Sequence, residues 1–311
     1  MSAAAAALLP ADLRVLERGW LSSNSILMLA DPRGAVLVDT GYCTHAAQTE
    51  ALVGHALDAA GEKLRLIVNT HLHSDHCGGN ARLTETHGCP VWIPPGQFEA
   101  VQAWDAAGLS YAPTGQQCPH FKASGILQPG SVLEQAGREW QVMASPGHDP
   151  DAVLLFEPNA GVLISADALW EHGFGIVFPE IDGKPGFDEV EQSLDLIESL
   201  PVRLVIPGHG AAFTDVSAAL NEARSRLAFF RQHPDRHARH AAKALLMFHM
   251  LELGEITRAD LLSWLDHTPI HINMWRQYFS GKSAKAWSGE LIEELARAGA
   301  LTIDGEMIRC V

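Results

Sequence analysis

The feature that most constrains the fold is the stretch LRLIVNTHLHSDHCGGN, residues 64–80. It begins with a continuous apolar run rich in β-branched residues, which is typical of a buried strand. Three histidines and an aspartate follow within six positions, and then Gly78 and Gly79. A buried strand that leads into such a cluster predicts a layered α/β protein with a polar site at the carboxyl end of the strand.

The spacing inside this cluster separates two positions. Alternate residues of an extended segment share a face, so His71 and His73 can reach one metal ion together. The turn that follows lets Asp75 and His76 approach a second point nearby. The glycine pair is expected to allow unusual backbone dihedrals and tight packing where the next helix begins.

Three later β-like runs also end at a potential ligand. MASPGHDP reaches His148, LISADALW reaches Asp167 and VIPGHG reaches His209. Because layered sheets collect their active-site residues where strands give way to loops, we expect these side chains to meet the first cluster. Imidazole and carboxylate suit Zn²⁺, and also Fe or Mn.

The chain divides into three predicted parts. Residues 1–18 contain an alanine run without the basic residues and long apolar stretch of a signal peptide, and we expect a poorly ordered N-terminus. Residues 19–231 alternate β-like and helical stretches and form the predicted catalytic domain. Within it, residues 94–130 are rich in Gly, Pro and Gln and favour a lid, a binding loop or a partner surface.

Residues 232–311 have a different character. Helix-like segments follow one another, and the chain closes with LTIDGEMIRCV, two short β-like runs around Asp304-Gly305. We therefore predict a small C-terminal, mostly helical, winged-helix-like domain. His233, His237 and His240 fall at helical spacing and are expected on a solvated helix face.

Composition limits the partners. The formal charge of −15 argues against a general affinity for nucleic acid without excluding a local basic patch. The C-terminal helices lack a Lys/Arg stripe, which favours packing, pocket closure or a homodimer over nucleic-acid reading. No window approaches a membrane span. Five scattered cysteines without a C-x-x-C pair indicate reduced thiols, so we expect a cytoplasmic protein.

Together these motifs resemble the metallo-β-lactamase superfamily over about residues 20–215, in the order strand, HxHxDH, glycine, PGH, aspartate and PGHG. The resemblance implies an α/β fold, the αββα four-layer sandwich, and two divalent metal ions, most naturally Zn, with Fe or Mn as alternatives. The first ion would be bound by His71, His73 and His148, the second by Asp75, His76 and His209, with Asp167 bridging both. Asp39, in LVDTG, would support the metal loops without ligating.

The resemblance also implies a reaction. A hydroxide bridging the two ions would attack an ester, thioester or lactone, and Asp75 would orient the water or move its proton as the catalytic residue. The motif ends in His76 and a bridging aspartate is present, which is similar to hydroxyacylglutathione hydrolases, lactonases and endoribonucleases and argues against β-lactam substrates. A small-molecule acyl substrate is our leading hypothesis. A metal-dependent ribonuclease and a non-catalytic regulatory module that uses the C-terminal domain are the alternatives.

The loop WEHGFGIVFPE, residues 170–180, is unusually aromatic. Trp170, His172, Phe174 and Phe178 are candidates to wall a substrate pocket, because loops beside metal ligands form the mouth of such sites. The alternative is a structural loop packed under its own side chains. Tyr42 is a candidate to offer its hydroxyl to a substrate oxygen, with packing as the alternative.

Overall fold

The computed structural model describes residues 2–311. Two sheets lie in the part of the chain that precedes residue 233. The first has the order β1-β2-β3-β4-β5-β6, from β1 (Leu13–Leu16), β2 (Ser25–Met28), β3 (Ala35–Val38), β4 (Leu64–Val68), β5 (Val91–Ile93) and β6 (Gly125–Ile126). The second has the order β11-β10-β9-β8-β7, from β7 (Val132–Gln135), β8 (Arg138–Ala144), β9 (Val153–Glu157), β10 (Val162–Ala166) and β11 (Leu204–Pro207).

Helices connect these strands and cover the sheets. They are α1 (Ala3–Leu8), α2 (Ala46–Ala60), α3 (Ser74–Cys77), α4 (Asn80–His87), α5 (Phe98–Ala103), α6 (Tyr111–Thr114), α7 (Phe178–Ile181), α8 (Phe187–Ser199) and α9 (Val216–Gln232). The β3–β4, β4–β5 and β10–β11 pairs are parallel, and the β2–β3 and β9–β10 pairs are antiparallel.

The layers follow from alternation along the strands. In β3, Val36 and Val38 face a core shared by both sheets, whereas Leu37 faces a second core with helix residues such as Val53 and Leu83. A third core joins the other face of the second sheet to α8 and α9. Each fully buried aliphatic side chain contributes about 1.5–3 kcal/mol. The predicted αββα sandwich is confirmed.

The expectation of a poorly ordered N-terminus, residues 1–18, is wrong for residues 3–16. Ser2 caps α1, and β1 pairs along its length with β2. Ala5 and Leu13 are fully buried in the core between the sheets. These residues are buried because β1 pairs with β2 at the edge of the first sheet, and the composition of the N-terminus does not predict this pairing. Met1 lies outside the described residues.

Residues 94–130 are also more ordered than their composition suggests. They contain α5, α6 and β6, and Leu109, Tyr111 and Phe121 are buried in the core beneath the first sheet. The segment therefore packs as part of the sandwich. A role as a lid, a binding loop or a partner surface stays a prediction.

The last eighty residues form a helical unit with a small sheet. Its elements are α10 (Pro234–Leu253), β12 (Glu255–Thr257), α11 (Arg258–His267), α12 (Pro269–Met274), a π-helical turn (Trp275–Phe279), α13 (Ala284–Arg297), β13 (Leu301–Asp304) and β14 (Met307–Cys310). The strands have the order β12-β14-β13, and the hairpin at Asp304-Gly305 is confirmed. Trp287, Leu246 and Leu291 belong to a separate core. The winged-helix-like character stays a prediction, and the boundary between residues 231 and 232 stays a proposed one.

Among residues 2–311, no helix combines the length and the apolar character needed to cross a membrane.

Candidate metal centre

The candidate ligands meet at the carboxyl ends of four strands. The chain leaves β4 and reaches His71 and His73, and α3 carries the next two candidates. The loop after β8 carries His148, while Asp167 and His209 follow β10 and β11 directly or by two residues. These strands come from both sheets, so the site lies where the two sheets of the sandwich meet at one edge.

Glycines permit the close packing of these segments. Gly78 and Gly79 have ordinary right-handed φ values of −61° and −84°, so the predicted unusual dihedrals are wrong. A Cβ on Gly79 would lie 2.5 Å from the carbonyl oxygen of Thr40, so only glycine fits between α3 and the end of β3. A Cβ on Gly208 would overlap the carboxylate of Asp167. The glycines serve close approach rather than backbone bending.

His71, His73 and His148 form one group. His148 Nε2 lies 2.7 Å from His73 Nδ1 and 3.3 Å from His71 Nε2. The other nitrogen of His148, Nδ1, donates to the carbonyl oxygen of Ile176 at 2.6 Å, which leaves the Nε2 lone pair facing the group. Burial lowers the pKa of His73 and of His148 to about 4. The rings are therefore neutral at pH 7, the form that binds metal ions.

Asp75, His76, Asp167 and His209 form the second group, whose ligand atoms lie within 4.8 Å of one another. His209 Nε2 lies 2.9 Å from Asp75 Oδ2, and His76 Nε2 lies 3.7 Å from the same oxygen. His76 Nε2 is buried and has no hydrogen-bond partner among residues 2–311. A buried nitrogen without a partner is costly, and a metal ion held by this group would satisfy it.

Asp167 faces both groups. Its Oδ2 lies 3.4 Å from His148 Nε2, and its Oδ1 lies 3.5 Å from His76 Nε2. Burial opposes its charge, but the imidazoles around it, His76 foremost, hold its pKa well below the usual value. One ionised carboxylate thus stands between two sets of ligand atoms, the arrangement that a bridging ligand requires. The residues fit two metal ions.

Asp39 fixes the orientation of the second group from below. Its Oδ2 accepts from His76 Nδ1 and from Thr70 Oγ1, each at 2.8 Å, and its Oδ1 accepts from the Thr70 backbone N–H at 2.9 Å. Because Nδ1 of His76 is held as a donor, Nε2 is the nitrogen left for a ligand. Burial opposes charge on His76, but Asp167, Asp39 and Asp75 together raise its pKa well above the usual value.

A cavity of about 380 Å³ opens above the two groups. Trp20, Trp170 and Phe178 line it, and α10 contributes Ala244 and Phe248. Trp20 stacks on the ring of His209, with centroids 5.3 Å apart, and meets Trp170 edge to face at 5.4 Å. Neither Trp20 nor the α10 residues were predicted. The spacing of residues 244 and 248 by about one helical turn indicates that they share a face of α10, but it does not indicate what that face contacts.

The predicted pocket residues divide. Trp170, His172 and Phe178 line the cavity, and Trp170 Nε1 also donates to Asp167 Oδ1 at 3.2 Å. The predictions for Phe174 and Tyr42 are wrong. Phe174 is buried in the core beneath α8 and α9, and Tyr42 is 1% exposed with its hydroxyl accepting from the backbone N–H of Gln117. Neither ring lines the cavity.

The solvated face predicted for α10 is wrong for His237. This ring is 2% exposed, and its Nε2 accepts from the backbone N–H of Val177 at 3.2 Å. Burial lowers the pKa of His237 to about 3. A neutral histidine thus ties α10 to the loop that carries Phe178. His233 and His240 are exposed as predicted.

Comparisons with known proteins show which family and which proteins the chain is similar to. The family model described as the metallo-beta-lactamase superfamily matches residues 18–209. A hydroxyacylglutathione hydrolase of Synechococcus sp. (strain JA-3-3Ab) is 30% identical over 61% of this chain and 64% of its own. The acyl-coenzyme A thioesterase MBLAC2 of Gallus gallus is 26% identical over 49% and 58%. The chain thus spans less than two thirds of the length of these relatives.

A solved structure matches over a longer range. The metallo-beta-lactamase family protein TTHA1429 of Thermus thermophilus is 22% identical, with a TM-score of 0.57 over 98% of this chain and 100% of its own. At this identity the likeness concerns the fold. It extends through the C-terminal helices.

Proposed function

Because the chain belongs to the metallo-beta-lactamase superfamily, we propose that it is a metal-dependent hydrolase that cleaves a small ester, thioester or lactone. The observation that carries the proposal is the pair of buried ligand groups on either side of Asp167. The names of two relatives, a hydroxyacylglutathione hydrolase and an acyl-coenzyme A thioesterase, support a thioester or a related acyl bond.

In this proposal the ligands are those expected from the sequence. The first metal ion is held by His71, His73 and His148, the second by Asp75, His76 and His209, and Asp167 is shared. Two divalent ions held there, Zn²⁺ or alternatively Fe or Mn, would supply Lewis-acid activation of the substrate carbonyl and of a water molecule.

Asp75 has a second duty in the proposal. Burial opposes its charge, but His76 and His209 hold its pKa below the usual value, so the carboxylate is ionised at pH 7. Its Oδ2 faces His209, and the side chain lines the cavity. We propose that the Asp75 carboxylate takes up a proton of the water that attacks the acyl carbon and passes it to the alkoxide or thiolate released when the acyl bond breaks, which makes Asp75 the catalytic residue.

The surroundings favour an acyl substrate over a polyanion. Arg226 is the only lysine or arginine among the described residues that line the cavity, and it lies 3.7 Å from Glu222. The chain carries a formal charge of −15. A ribonuclease needs a basic path for phosphates, and a bulky anionic thiol needs basic partners. Neither need is met at the cavity.

The experiment is a panel of aryl esters, thioesters, lactones and bis-aryl phosphodiesters assayed on metal-analysed protein. Hydrolysis of an acyl substrate is expected, with a loss on the order of 100-fold or more in Asp167→Asn. Asp304→Asn, at an exposed carboxylate of the C-terminal hairpin, is the matched control and is expected to retain activity. Turnover of the phosphodiester alone would favour the ribonuclease. No turnover by fully metallated protein would refute the hydrolase and leave the regulatory module.

A further inference from the structure

The cavity above the metal centre has an apolar side made by rings of the sandwich. Trp20 covers His209, and Phe178 covers His73 with ring centroids 4.6 Å apart. Each of the two rings therefore packs against a histidine of one proposed metal group. Trp20 is nevertheless 57% exposed, an unusual state for the largest apolar side chain. An apolar ligand group in the cavity would cover it.

Helix α10 also lines the cavity. His240, Ala244, Leu245 and Phe248 lie at spacings of four, one and three residues, which places them on one stripe of the helix. Although His240 is an exposed residue, desolvation and the nearby charges of Arg226 and Lys243 lower its pKa to about 4, so this ring is neutral at pH 7. The α10 side therefore offers apolar surface and an uncharged ring.

Size narrows the ligand further. The volume of about 380 Å³ is near the lower end of the roughly 300–1,000 Å³ found for ligand pockets. One alkyl chain or one aromatic ring system suits such a space, whereas the phosphates of a nucleotide would require more cationic side chains than Arg226, which lies 3.7 Å from Glu222. Ala244 offers the least side-chain bulk on the stripe, and Phe248 lies one turn farther along it.

We propose that this cavity binds an apolar alkyl or aryl acyl group, and that Ala244 and Phe248 of α10 set the length of that group. The C-terminal helices thereby determine the substrate specificity of the metal centre. The inference rests on the proposed function for the reaction itself, but the binding of the acyl group can be measured without turnover.

The binding test uses straight-chain carboxylates, from acetate to dodecanoate, titrated calorimetrically into the metal-loaded full chain. Affinity is expected to rise about fourfold per methylene, corresponding to about 0.8 kcal/mol, until the cavity is filled. Ala244→Phe is expected to shorten the carboxylate at which affinity levels off. Ala244→Leu is expected to have the same effect to a smaller degree, and it replaces Ala244→Phe if the larger ring impairs folding. Phe248→Ala moves the limit to longer chains.

Leu251→Ala is the matched control, because Leu251 is an exposed apolar residue of α10 that does not line the cavity. It is expected to keep the chain-length profile of the unchanged protein. Equal affinity for all chain lengths would overturn the proposal. So would a profile that Ala244→Leu and Phe248→Ala leave unchanged.

The same chain lengths are then compared as aryl esters, by kcat/KM. If the carboxylates bind with the expected profile but no ester or thioester is cleaved, the acyl site stands and the proposed hydrolase is wrong. If esters are cleaved at rates that do not depend on chain length, the hydrolase stands and the acyl site is wrong.

Discussion

Asp39→Asn tests whether the hydrogen bond from His76 to Asp39 positions the second ligand group. Asp39 lies at φ +58°, in the left-handed region. Asparagine is one of the few residues other than glycine that tolerate this conformation. The substitution keeps the shape of the side chain and removes its charge. It weakens the two 2.8 Å hydrogen bonds that Oδ2 accepts from His76 Nδ1 and Thr70 Oγ1.

The size of the effect follows from these bonds. A hydrogen bond to a charged group contributes about 1.5–3 kcal/mol, and a neutral one about 0.5–1.5 kcal/mol. The difference for the His76 bond is about 1–2 kcal/mol, which corresponds to about 5–30-fold in metal affinity. The second metal ion should bear most of this loss, because His76 belongs to that group.

The assay is competition with a chromophoric chelator, which resolves the two metal affinities. Asp31→Asn is the matched control, because Asp31 is also a buried, hydrogen-bonded carboxylate and lies before β3 whereas Asp39 follows it. The control should lose stability but keep both metal affinities. Wild-type affinity for both ions in Asp39→Asn would refute the positioning role, as would an equal loss in the control.

Three further changes probe other parts of the structure. Gly79→Ala, whose Cβ would meet the carbonyl oxygen of Thr40, should lower the free energy of unfolding measured in urea by about 1–3 kcal/mol. The control Gly289→Ala, in open space on α13, should leave that free energy equal or raise it. Equal losses in both variants would contradict the close approach of Gly79 to Thr40. Trp20→Ala should raise KM with little change in melting temperature, because the ring is exposed, and an unchanged KM would argue against its contact with substrate. Burial lowers the pKa of His271 from 6.5 to about 3, so the unfolded chain takes up a proton that the folded chain refuses. The contribution of the neutral His271 ring to the free energy of unfolding is complete above about pH 6.5 and falls by about 1.4 kcal/mol per pH unit toward pH 3. Urea unfolding at a series of pH values should show that the free energy of unfolding depends less steeply on pH in His271→Gln than in the unchanged protein, and an identical dependence would refute the assignment.

The candidate ligands could be predicted because their signals are local. They lie in the segments that follow β-like runs, and the position near a strand end predicts that His148, Asp167 and His209 lie at one edge of the sandwich. The αββα layers were predicted from the family that the order of these motifs resembles, and the buried strands β3 and β4 agree with it. Ligand set and fold were therefore predicted together.

The cavity could not be predicted in the same way, because its walls come from contacts between distant segments. Trp20 precedes the first hairpin and gains its place only by stacking on His209. His237 has the spacing of a surface residue but is buried where α10 meets the backbone of Val177. Tyr42 and Phe174 lie beside the site in sequence and turn away from it. Periodicity identifies a face of an element without identifying what that face contacts.

The most direct test of the central claim is the number and position of metal ions in the full chain. Elemental analysis of metal-replete protein, combined with anomalous diffraction, should find two ions per chain, one at each ligand group, with Asp167 between them. His209→Ala should reduce the content by the ion at the second group and leave the ion at His71, His73 and His148. A single ion in the unchanged protein under replete conditions, or a second ion located away from Asp75, His76 and His209, would contradict the account.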